Sequence, residues 1–270
     1  MNLIIGNSSQ LAQYFPKDYI RISSRNVDLK YLKNNKWESV YICFSEQRIY
    51  DSSIDFITPN YIYTLQIIDS LIENSDKIVC YTSCELWNEL SGYIRIGTQP
   101  KFYPLTNEYT ISKLLLLNKI TELRKLNNLY RKVVFVHPFY FNSVYRNEYF
   151  LFGKIFNSII NKQKIEVGDL NFYRDMVHAK FVVEKSIESK QDIVVGSGRL
   201  FNIRDFVKDL YYINGMEFNY FVQENKSSNF PVGKEKLIMA KVDWEYTYQD
   251  LLGETQKDIE QNGRINGNHR

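Results

Sequence analysis

The chain has 270 residues, of which 44% are hydrophobic and 24% charged, so it can bury the core of one large domain or of one domain with a smaller appendage. Its 34 basic and 31 acidic residues give a formal net charge of +3, and both signs are spread along the chain, so we expect no nucleic-acid partner. No apolar run reaches the length of a membrane helix and the first residues do not form a signal peptide, which predicts a soluble protein without a membrane partner.

The cysteines predict a reducing compartment. Cys43, Cys80 and Cys84 are odd in number and lack metal-ligand spacing. We interpret them as free thiols of a cytoplasmic protein. No cluster of histidine, cysteine and acidic residues has the spacing of a metal site, so no metal is predicted.

The first half of the chain alternates between short apolar runs and helical patterns. The runs predict strands and the intervening segments predict helices, which together indicate crossover units and a parallel sheet. The predicted strands are residues 3–5, 19–22, 40–44, 78–81 and 133–136, and the predicted helices are residues 10–15, 29–32, 60–72 and 109–126.

The pattern changes beyond about residue 137, and we expect this half to be interleaved with the first and not independent of it. Helices are predicted at residues 149–160, 181–189, 203–212 and 244–259, and strands at residues 165–167 and 193–195. The last ten residues are polar and rich in glycine and asparagine, which predicts a disordered tail over residues 261–270.

The turn after the first strand is a candidate dinucleotide site. Such a site needs a tight turn, a close backbone approach to a pyrophosphate and a helix N-terminus that points at it. The usual G-x-x-G-x-x-G pattern reads here as Gly6, Ser9 and Ala12, so one glycine and two other small residues remain. An ordinary strand-to-helix turn would look the same. The predicted cofactor contacts in this turn are Gly6, Ser8, Ser9, Gln10 and Leu11.

Ser24 and Arg25 follow the second strand, where sites that prefer NAD usually have an acidic residue for the ribose hydroxyls. A hydroxyl and a guanidinium suit a 2′-phosphate instead. We therefore favour NADP(H) as the cofactor, with NAD(H) as the alternative, although a solvated loop could also have this composition.

Tyr109 and Lys113 are spaced i and i+4 on a predicted helix, so their side chains lie on one face. An ammonium beside a phenol favours the phenolate and lowers the pKa of the tyrosine, which suits proton transfer beside a hydride transfer. An exposed helical pair would show the same spacing. The preceding strand, residues 78–81, ends in Thr82 and Ser83, which supplies a further hydroxyl.

These features resemble the extended short-chain dehydrogenases, the NAD-dependent epimerase/dehydratase family, over nearly the whole chain. The segments that carry the resemblance are T-S-C-E-L-W at 82–87, P-N-Y-I-Y-T at 59–64, H-P-F-Y-F-N at 137–142, V-G-D at 167–169 with Y-R-D at 173–175, and G-S-G at 196–198 with N-I-R-D-F at 202–206. The chain departs from the family at the two missing glycines, at His137 in place of arginine, and at C-F-S-E-Q over 43–47.

The resemblance implies an α/β fold, a Rossmann-type doubly wound parallel sheet with a small interleaved C-terminal substrate-binding region. It implies that residues 1–137 are mainly the dinucleotide-binding domain and residues 138–260 mainly the substrate-binding region, with residues 176–200 returning to the sheet. Paired long helices in the family also imply a homodimer.

The same resemblance assigns roles to site residues. Ser83 would bond a substrate carbonyl, Tyr109 would donate its proton, and Lys113 would hold the nicotinamide ribose. Asn142 and Arg174 would bind the diphosphate side of a nucleotide-diphosphate sugar.

The segment between the strand that ends at Ile22 and the strand that begins at Val40 is short. In this and in its length, the chain is most similar to the 4-ketoreductases of deoxysugar or surface-polysaccharide biosynthesis. These use NAD(P)H to reduce a 4-keto-6-deoxy nucleotide sugar. Glu85 stands at the acid/base position of the family's 4,6-dehydratases, although it could be a carboxylate at a strand end. A dehydratase or C4 epimerase with recycled cofactor therefore stays open, as does a non-catalytic dinucleotide-binding sensor or scaffold.

Overall fold

A computed structural model describes residues 1–48, 53–88, 90–100, 107–225 and 237–267, with only the backbone for residues 263–267. The strands are β1 (Asn2–Ile5), β2 (Ile20–Ile22), β3 (Trp37–Ile42), β4 (Ser75–Tyr81), β5 (Gly92–Ile94), β6 (Val133–Pro138), β7 (Tyr140–Asn142), β8 (Ile165–Gly168), β9 (Tyr173–Arg174), β10 (Met176–His178), β11 (Ile193–Val195), β12 (Phe201–Asn202), β13 (Val222–Asn225) and β14 (Ile238–Ala240). The α-helices are α1 (Leu29–Asn34), α2 (Thr64–Leu71), α3 (Glu108–Leu126), α4 (Leu151–Asn161), α5 (Ala179–Glu188), α6 (Ile203–Ile213), α7 (Phe218–Phe221) and α8 (Tyr248–Gly267).

Two compact units share the chain. The first contains Met1–Glu89, Ile96–Pro138 and Val183–Val195, and the second contains Leu90–Arg95, Phe139–Val182 and Gly196–Arg270. The chain thus leaves the first unit and returns to it at Val183, within α5, and stays there through β11. The domain boundaries predicted from the sequence stay a prediction.

The first unit is built on a six-stranded parallel sheet in the order β2-β1-β3-β4-β6-β11. Its inner strands are mostly buried, β6 along its whole length, because helices cover both faces of such a sheet, whereas the edge strand β2 is half-buried and contains Arg21. The chain crosses from β2 on one side of β1 to β3 on the other, which places the topological switch point between β1 and β3. The predicted α/β class with a Rossmann-type doubly wound sheet is confirmed.

The core of the first unit comes from the runs that predicted its strands. Leu3, Val40, Ile78 and Phe135 have no exposed surface and belong to one apolar cluster. Ile67 of α2 packs into the same cluster, so the helix that follows β3 covers the sheet. This packing fixes the carboxyl ends of β1, β3 and β4 at one edge.

Two predicted helices differ in the structure. The helix expected at residues 10–15 is a four-residue 3-10 helix, Leu11–Tyr14, which stops before Pro16 because proline follows a helix end but cannot continue the helix. The helix expected at residues 60–72 begins with a π-helical segment, Thr58–Tyr63, before α2. Short 3-10 helices also occupy Cys84–Trp87 and Asn128–Lys132.

The second unit combines α4, α6 and α8 with two-stranded sheets that pair β7 with β10, β9 with β12, β8 with β13 and β5 with β14. The final helix starts at Tyr248 and not at residue 244, because Thr247 and Asp250 form a capping box: Thr247 Oγ1 accepts from Asp250 N, and Asp250 Oδ2 accepts from Thr247 N. The helix continues to Gly267, into the segment that the sequence predicts as a tail. None of the described helices is both long and apolar enough to cross a bilayer.

Candidate active site

Ser83 lies just beyond the carboxyl end of β4 and begins a turn. Its backbone is extended and its Oγ accepts a hydrogen bond from Glu85 N at 3.2 Å, which caps the 3-10 helix Cys84–Trp87. The side chain is half-buried. The predicted hydroxyl is therefore held at the sheet edge where Rossmann-type proteins bind ligands.

Tyr109 and Lys113 project from the first turns of α3, which starts after Asn107. Asn107 Oδ1 accepts from Thr110 N at 2.8 Å, and this cap fixes where the helix begins. Both side chains are buried, and Lys113 Nζ lies 5.9 Å from the centroid of the Tyr109 ring. The predicted one-face arrangement of this pair is present.

Lys113 connects α3 to the end of β4. Its Nζ donates to the carbonyl oxygen of Tyr81, two residues before Ser83, at 3.0 Å. The helix also contacts the turn Cys84–Trp87. The structure thus brings Ser83, Tyr109 and Lys113 together.

The Lys113 ammonium is buried but has few hydrogen-bond acceptors around it among the described residues. Burial lowers its pKa to about 8. Among the described residues it bonds to one acceptor, the Tyr81 carbonyl, although an ammonium carries three donors. Two buried donors are therefore left for a ligand with adjacent acceptor oxygens, such as the hydroxyls of a ribose.

The turn after β1 has one feature of a dinucleotide site. Gly6 has φ +100°, and an added Cβ would lie 2.8 Å from Phe44 N and 2.9 Å from Phe44 Cβ, because β1 and β3 come close together at the switch point. Only glycine fits there. Ser8 is exposed, Leu11 is buried, and Ser9 Oγ accepts from Ala12 N at 3.3 Å, so Ser9 caps the turn.

The rest of that turn fits a dinucleotide less well. The 3-10 helix after it has a single turn, so its dipole at a pyrophosphate is weaker than that of a full helix. Gln10 Oε1 is buried without a hydrogen-bond partner in the described part of the chain, which leaves an acceptor for a ligand. We conclude that Gly6, Gln10 and Lys113 fit a nicotinamide dinucleotide, and that a short turn replaces the usual glycine-rich helix start.

Ser24 and Arg25 lie directly after β2, next to β1 in the sheet. Ser24 is half-buried and Arg25 is exposed, with its backbone N bonded to Ser23 Oγ at 3.2 Å. The guanidinium of Arg25 bonds to no other described residue, whereas Arg21 donates to four backbone carbonyls. Arg25 is thus the cation of this edge that can bind an anionic ligand group.

Glu85 is half-buried in the turn that Ser83 caps. Its Oε2 accepts a hydrogen bond from Asn88 Nδ2, so the carboxylate is held within the turn. Glu85 therefore lies in the turn that Ser83 caps, and its bond to Asn88 suits a structural role, while its predicted acid/base role stays a prediction.

The predicted substrate residues lie in the second unit, and the two have different environments. Asn142 is fully buried and its amide bonds to Thr255 Oγ1 of α8, so this arrangement gives Asn142 no surface for a ligand. Arg174 is half-buried, and its guanidinium lies 4.7 Å from the ring centroid of Phe172 and 5.1 Å from that of Tyr140. Arg174 donates to Tyr173 O and keeps further donors for an anion, whereas Asn142 is occupied by Thr255, and both ligand contacts stay predictions.

Next to Arg174, Asp175 of the Y-R-D segment is a buried hub, a role that the sequence did not predict. Its Oδ1 accepts from Ser197 N and Oγ, and its Oδ2 accepts from Gly198 N and Ala240 N. Its partners lie more than 20 residues away, so no local pattern reveals them. The hub joins three segments of the second unit.

Asn60 is a second residue whose role was missed. Its buried amide accepts from Glu46 N at 2.8 Å and from Ser45 Oγ, and it donates to Ser112 Oγ at 3.1 Å. Ser112 lies between Tyr109 and Lys113, so Asn60 ties the loop after β3 to α3. The resemblance at residues 59–64 marked the position but not its partners.

His137 and Thr82 form a further buried pair beneath Ser83. Thr82 Oγ1 lies 2.5 Å from His137 Nδ1, and the Trp87 ring meets the imidazole edge-on with the ring centroids 5.3 Å apart. Burial lowers the pKa of His137 to about 4, so the ring is neutral. The replacement of the usual arginine by His137 thus produces a packed, hydrogen-bonded side chain. Among the described residues, no group of histidine, cysteine and acidic side chains could hold a metal.

The sequence matches no protein-family model and no curated protein. Solved structures match it over nearly its whole length. RMD from Pseudomonas aeruginosa, complexed with NADPH, is 15% identical with a TM-score of 0.70, and the match covers 96% of this chain and 100% of that chain.

Two further similar structures hold NAD. The dTDP-glucose 4,6-dehydratase of Bacillus anthracis is 14% identical, with a TM-score of 0.74 and 98% of both chains covered. The UDP-glucuronic acid 4-epimerase of Bacillus cereus is 14% identical, with a TM-score of 0.73 and 96% of both chains covered. This chain therefore has the fold that these NAD- and NADPH-bound proteins share, which is the fold that the resemblance to the extended short-chain dehydrogenases predicts.

Proposed function

We propose that this chain is an NADP(H)-dependent oxidoreductase of the extended short-chain dehydrogenase type, and that it reduces the 4-keto carbon of a 4-keto-6-deoxy nucleotide sugar. Similar structures hold NADPH or NAD and include enzymes of dTDP- and UDP-sugars, which supports this class of cofactor and substrate. The proposal includes the predicted site, Ser83, Tyr109 and Lys113.

Lys113 is the observation that carries the proposal. Burying an ammonium without a carboxylate partner is unfavourable, and the described residues give this one a single carbonyl acceptor. A protein that needs only packing at this position gains nothing from a lysine. The arrangement is explained if a ligand supplies the remaining acceptors and the charge acts on the Tyr109 phenol beside it.

The chain's own residues would then manage the proton. Bound NADPH supplies the hydride that adds to the carbonyl carbon. Tyr109 gives its hydroxyl proton to the carbonyl oxygen as that oxygen becomes an alkoxide, so a ketone, a hydride and a proton give an alcohol. Lys113 stabilises the resulting phenolate, and Ser83 donates a hydrogen bond to the carbonyl oxygen of the substrate.

Arg25 supports NADP(H) over NAD(H). It is exposed at the end of β2, and its guanidinium bonds to no other described residue, while no acidic side chain follows this strand before Asp28. A guanidinium binds a phosphate through charge-assisted hydrogen bonds, whereas the free ribose hydroxyls of NAD favour a carboxylate.

Glu85 favours a second candidate, a 4,6-dehydratase that recycles its cofactor. It lies in the turn that Ser83 caps, where a carboxylate could act as acid or base on the sugar. Its hydrogen bond to Asn88 holds the carboxylate in the turn, so we rank this function second. A C4 epimerase would use the same serine, tyrosine and lysine.

The experiment is a panel assay with purified protein. The absorbance of NADPH or NADH is followed with 4-keto-6-deoxy sugars of GDP, dTDP, UDP and CDP, and the sugar products are identified. Loss of one NADPH per sugar reduced supports the reductase. If the sugar changes without loss of NADPH, the reductase proposal is wrong and a dehydratase or epimerase is favoured. If neither the sugar nor the cofactor changes, a non-catalytic dinucleotide-binding protein is favoured.

A further inference from the structure

We propose that His137 and Thr82 are positioning residues, which together hold the turn that carries the Ser83 hydroxyl. This inference rests on the proposed function, because Ser83 acts there on the carbonyl oxygen. Neither residue would touch substrate or cofactor.

The first attachment lies before Ser83. Thr82 N donates to Val136 O at 3.0 Å, so Thr82 extends the pairing of β4 with β6 by one residue. Its Oγ1 is 2.5 Å from His137 Nδ1, and both side chains are 4% exposed. Thr82 is therefore fixed by its backbone and its side chain, immediately before the serine.

The second attachment lies at the other end of the turn. The indole of Trp87 packs edge-on against the His137 ring, and Trp87 Nε1 donates to Thr98 O at 2.9 Å. Trp87 is 3% exposed. One imidazole thus contacts the residue before Ser83 and the last residue of the turn that Ser83 caps.

The charge state of His137 suits this role. Burial is the main cause that lowers its pKa to about 4, Arg124 lowers it further, and Asp192 opposes the shift. The ring is neutral at the working pH, so it can bond to a threonine hydroxyl and pack under an indole without a buried charge.

Fixing the turn matters because the Ser83 hydroxyl must meet a carbonyl oxygen at hydrogen-bond distance. A displacement of about 1 Å in such a group can lower the rate about 100-fold. Ser83 Oγ also accepts from Glu85 N, so a turn that shifts would carry the hydroxyl with it.

Thr82→Val and Thr82→Ser form a matched pair. Valine keeps the shape and removes the hydroxyl, whereas serine keeps the hydroxyl. We expect Thr82→Val to lower kcat about 10-fold to 100-fold, with KM for the sugar and Kd for NADPH within about twofold of wild type. Thr82→Ser should restore most of kcat. A role in packing alone would change the unfolding midpoint but not kcat of the folded enzyme.

Nitrogen NMR of the histidine rings gives a readout that does not need turnover. The chain has three histidines, so loss of one set of signals in His137→Phe assigns His137. The chemical shift of His137 Nδ1 should change in Thr82→Val and should remain at its wild-type value in Thr82→Ser. Equal kcat in the two threonine variants, or an unchanged Nδ1 shift in Thr82→Val, would overturn the inference. If the wild type turns over no sugar, the proposed function fails, and the Nδ1 comparison still decides whether the pair exists.

Discussion

Two adjacent hydroxyls at the end of β4 have different environments. Thr82 is buried against His137, while Ser83 is half-buried and caps the next turn. Successive side chains of an extended chain point to opposite sides, so only one of the two can face a ligand. The family resemblance of residues 82–87 assigns that role to Ser83. The partner of Thr82 is 55 residues away along the chain, and no local pattern predicts it.

Tyr109→Phe tests the proton donor with the smallest change. We expect kcat to fall about 100-fold to 10,000-fold, because that is the usual contribution of a general acid, while the ring keeps its packing. NADPH binding, measured by fluorescence titration, should stay within about twofold of wild type. Tyr130→Phe is the matched control. It also removes one tyrosine hydroxyl, but Tyr130 follows the end of α3, whereas Tyr109 lies at its start, and its hydroxyl donates to Asp69. Equal activity of the two variants would contradict the assignment of Tyr109.

Lys113 gives the reaction a pH dependence with a defined sign. Its ammonium has a pKa of about 8, so it is charged below that pH and neutral above it. We expect kcat/KM for NADPH to be constant below about pH 7 and to fall as the pH rises through about 8, since neutral lysine no longer stabilises the phenolate. A pH profile of kcat/KM measures this because it reports the free enzyme, and a break only near the usual lysine pKa would contradict it.

Arg25→Ala tests cofactor preference. A charge-assisted bond to a 2′-phosphate contributes about 1.5–3 kcal/mol, which corresponds to an increase of about 10-fold to 100-fold in KM for NADPH. KM for NADH should change less than about twofold. Arg131→Ala is the control, because Arg131 is also exposed but precedes β6, at the opposite edge of the sheet. Equal effects on both cofactors would assign the 2′-phosphate to another residue.

At the scale of elements, sequence patterns predicted the strands and helices whose positions are determined by the burial of apolar residues. The strands of the first unit were predicted from the apolar run that each contains, although β2 includes Arg21 and β4 begins with three polar residues, and α3 was predicted from its length. The 3-10 helix Leu11–Tyr14 was predicted too long, since a single turn and a short helix share one pattern. The small sheets of the second unit were largely missed, because pairs such as β9 and β12 contain two residues each and depend on tertiary contacts.

The β1 turn provides a test of the switch point. Gly6→Ala would place a Cβ against the Phe44 backbone at a positive φ, whereas Gly92→Ala has φ +87° with no atom within 4 Å. We expect Gly92→Ala to lower the free energy of unfolding by about 1–2 kcal/mol from backbone strain alone, and Gly6→Ala by more. Urea unfolding measures both. Gly6→Ala alone should also lose affinity for NADPH, and equal affinities would place the cofactor away from this turn.

At the scale of the molecule, the sequence predicted a sheet completed by a later segment, and the structure returns to the first unit over Val183–Val195. The parallel sheet followed from the alternation of strands and helices, and its Rossmann-type winding from the resemblance, whereas the order of the strands comes from the structure. What could not be predicted are the long-range hubs, Asn60 and Asp175, because their partners come from several segments that are distant in sequence. A pattern along the chain predicts one helix or strand at a time, whereas residues such as Asn60 and Asp175 bond to several segments that come together only in the folded protein.

The most direct test of the central claim follows the hydride itself. NADPH that carries deuterium at the transferred position is incubated with the 4-keto-6-deoxy nucleotide sugar found in the panel, and the product is analysed by mass spectrometry and NMR. The account predicts one deuterium at C4 of the sugar for each NADPH oxidised, with about 100-fold to 10,000-fold less labelled product from the Tyr109→Phe control in the same time. A changed sugar without deuterium would contradict it, because the hydride would then have come from the sugar through a recycled cofactor.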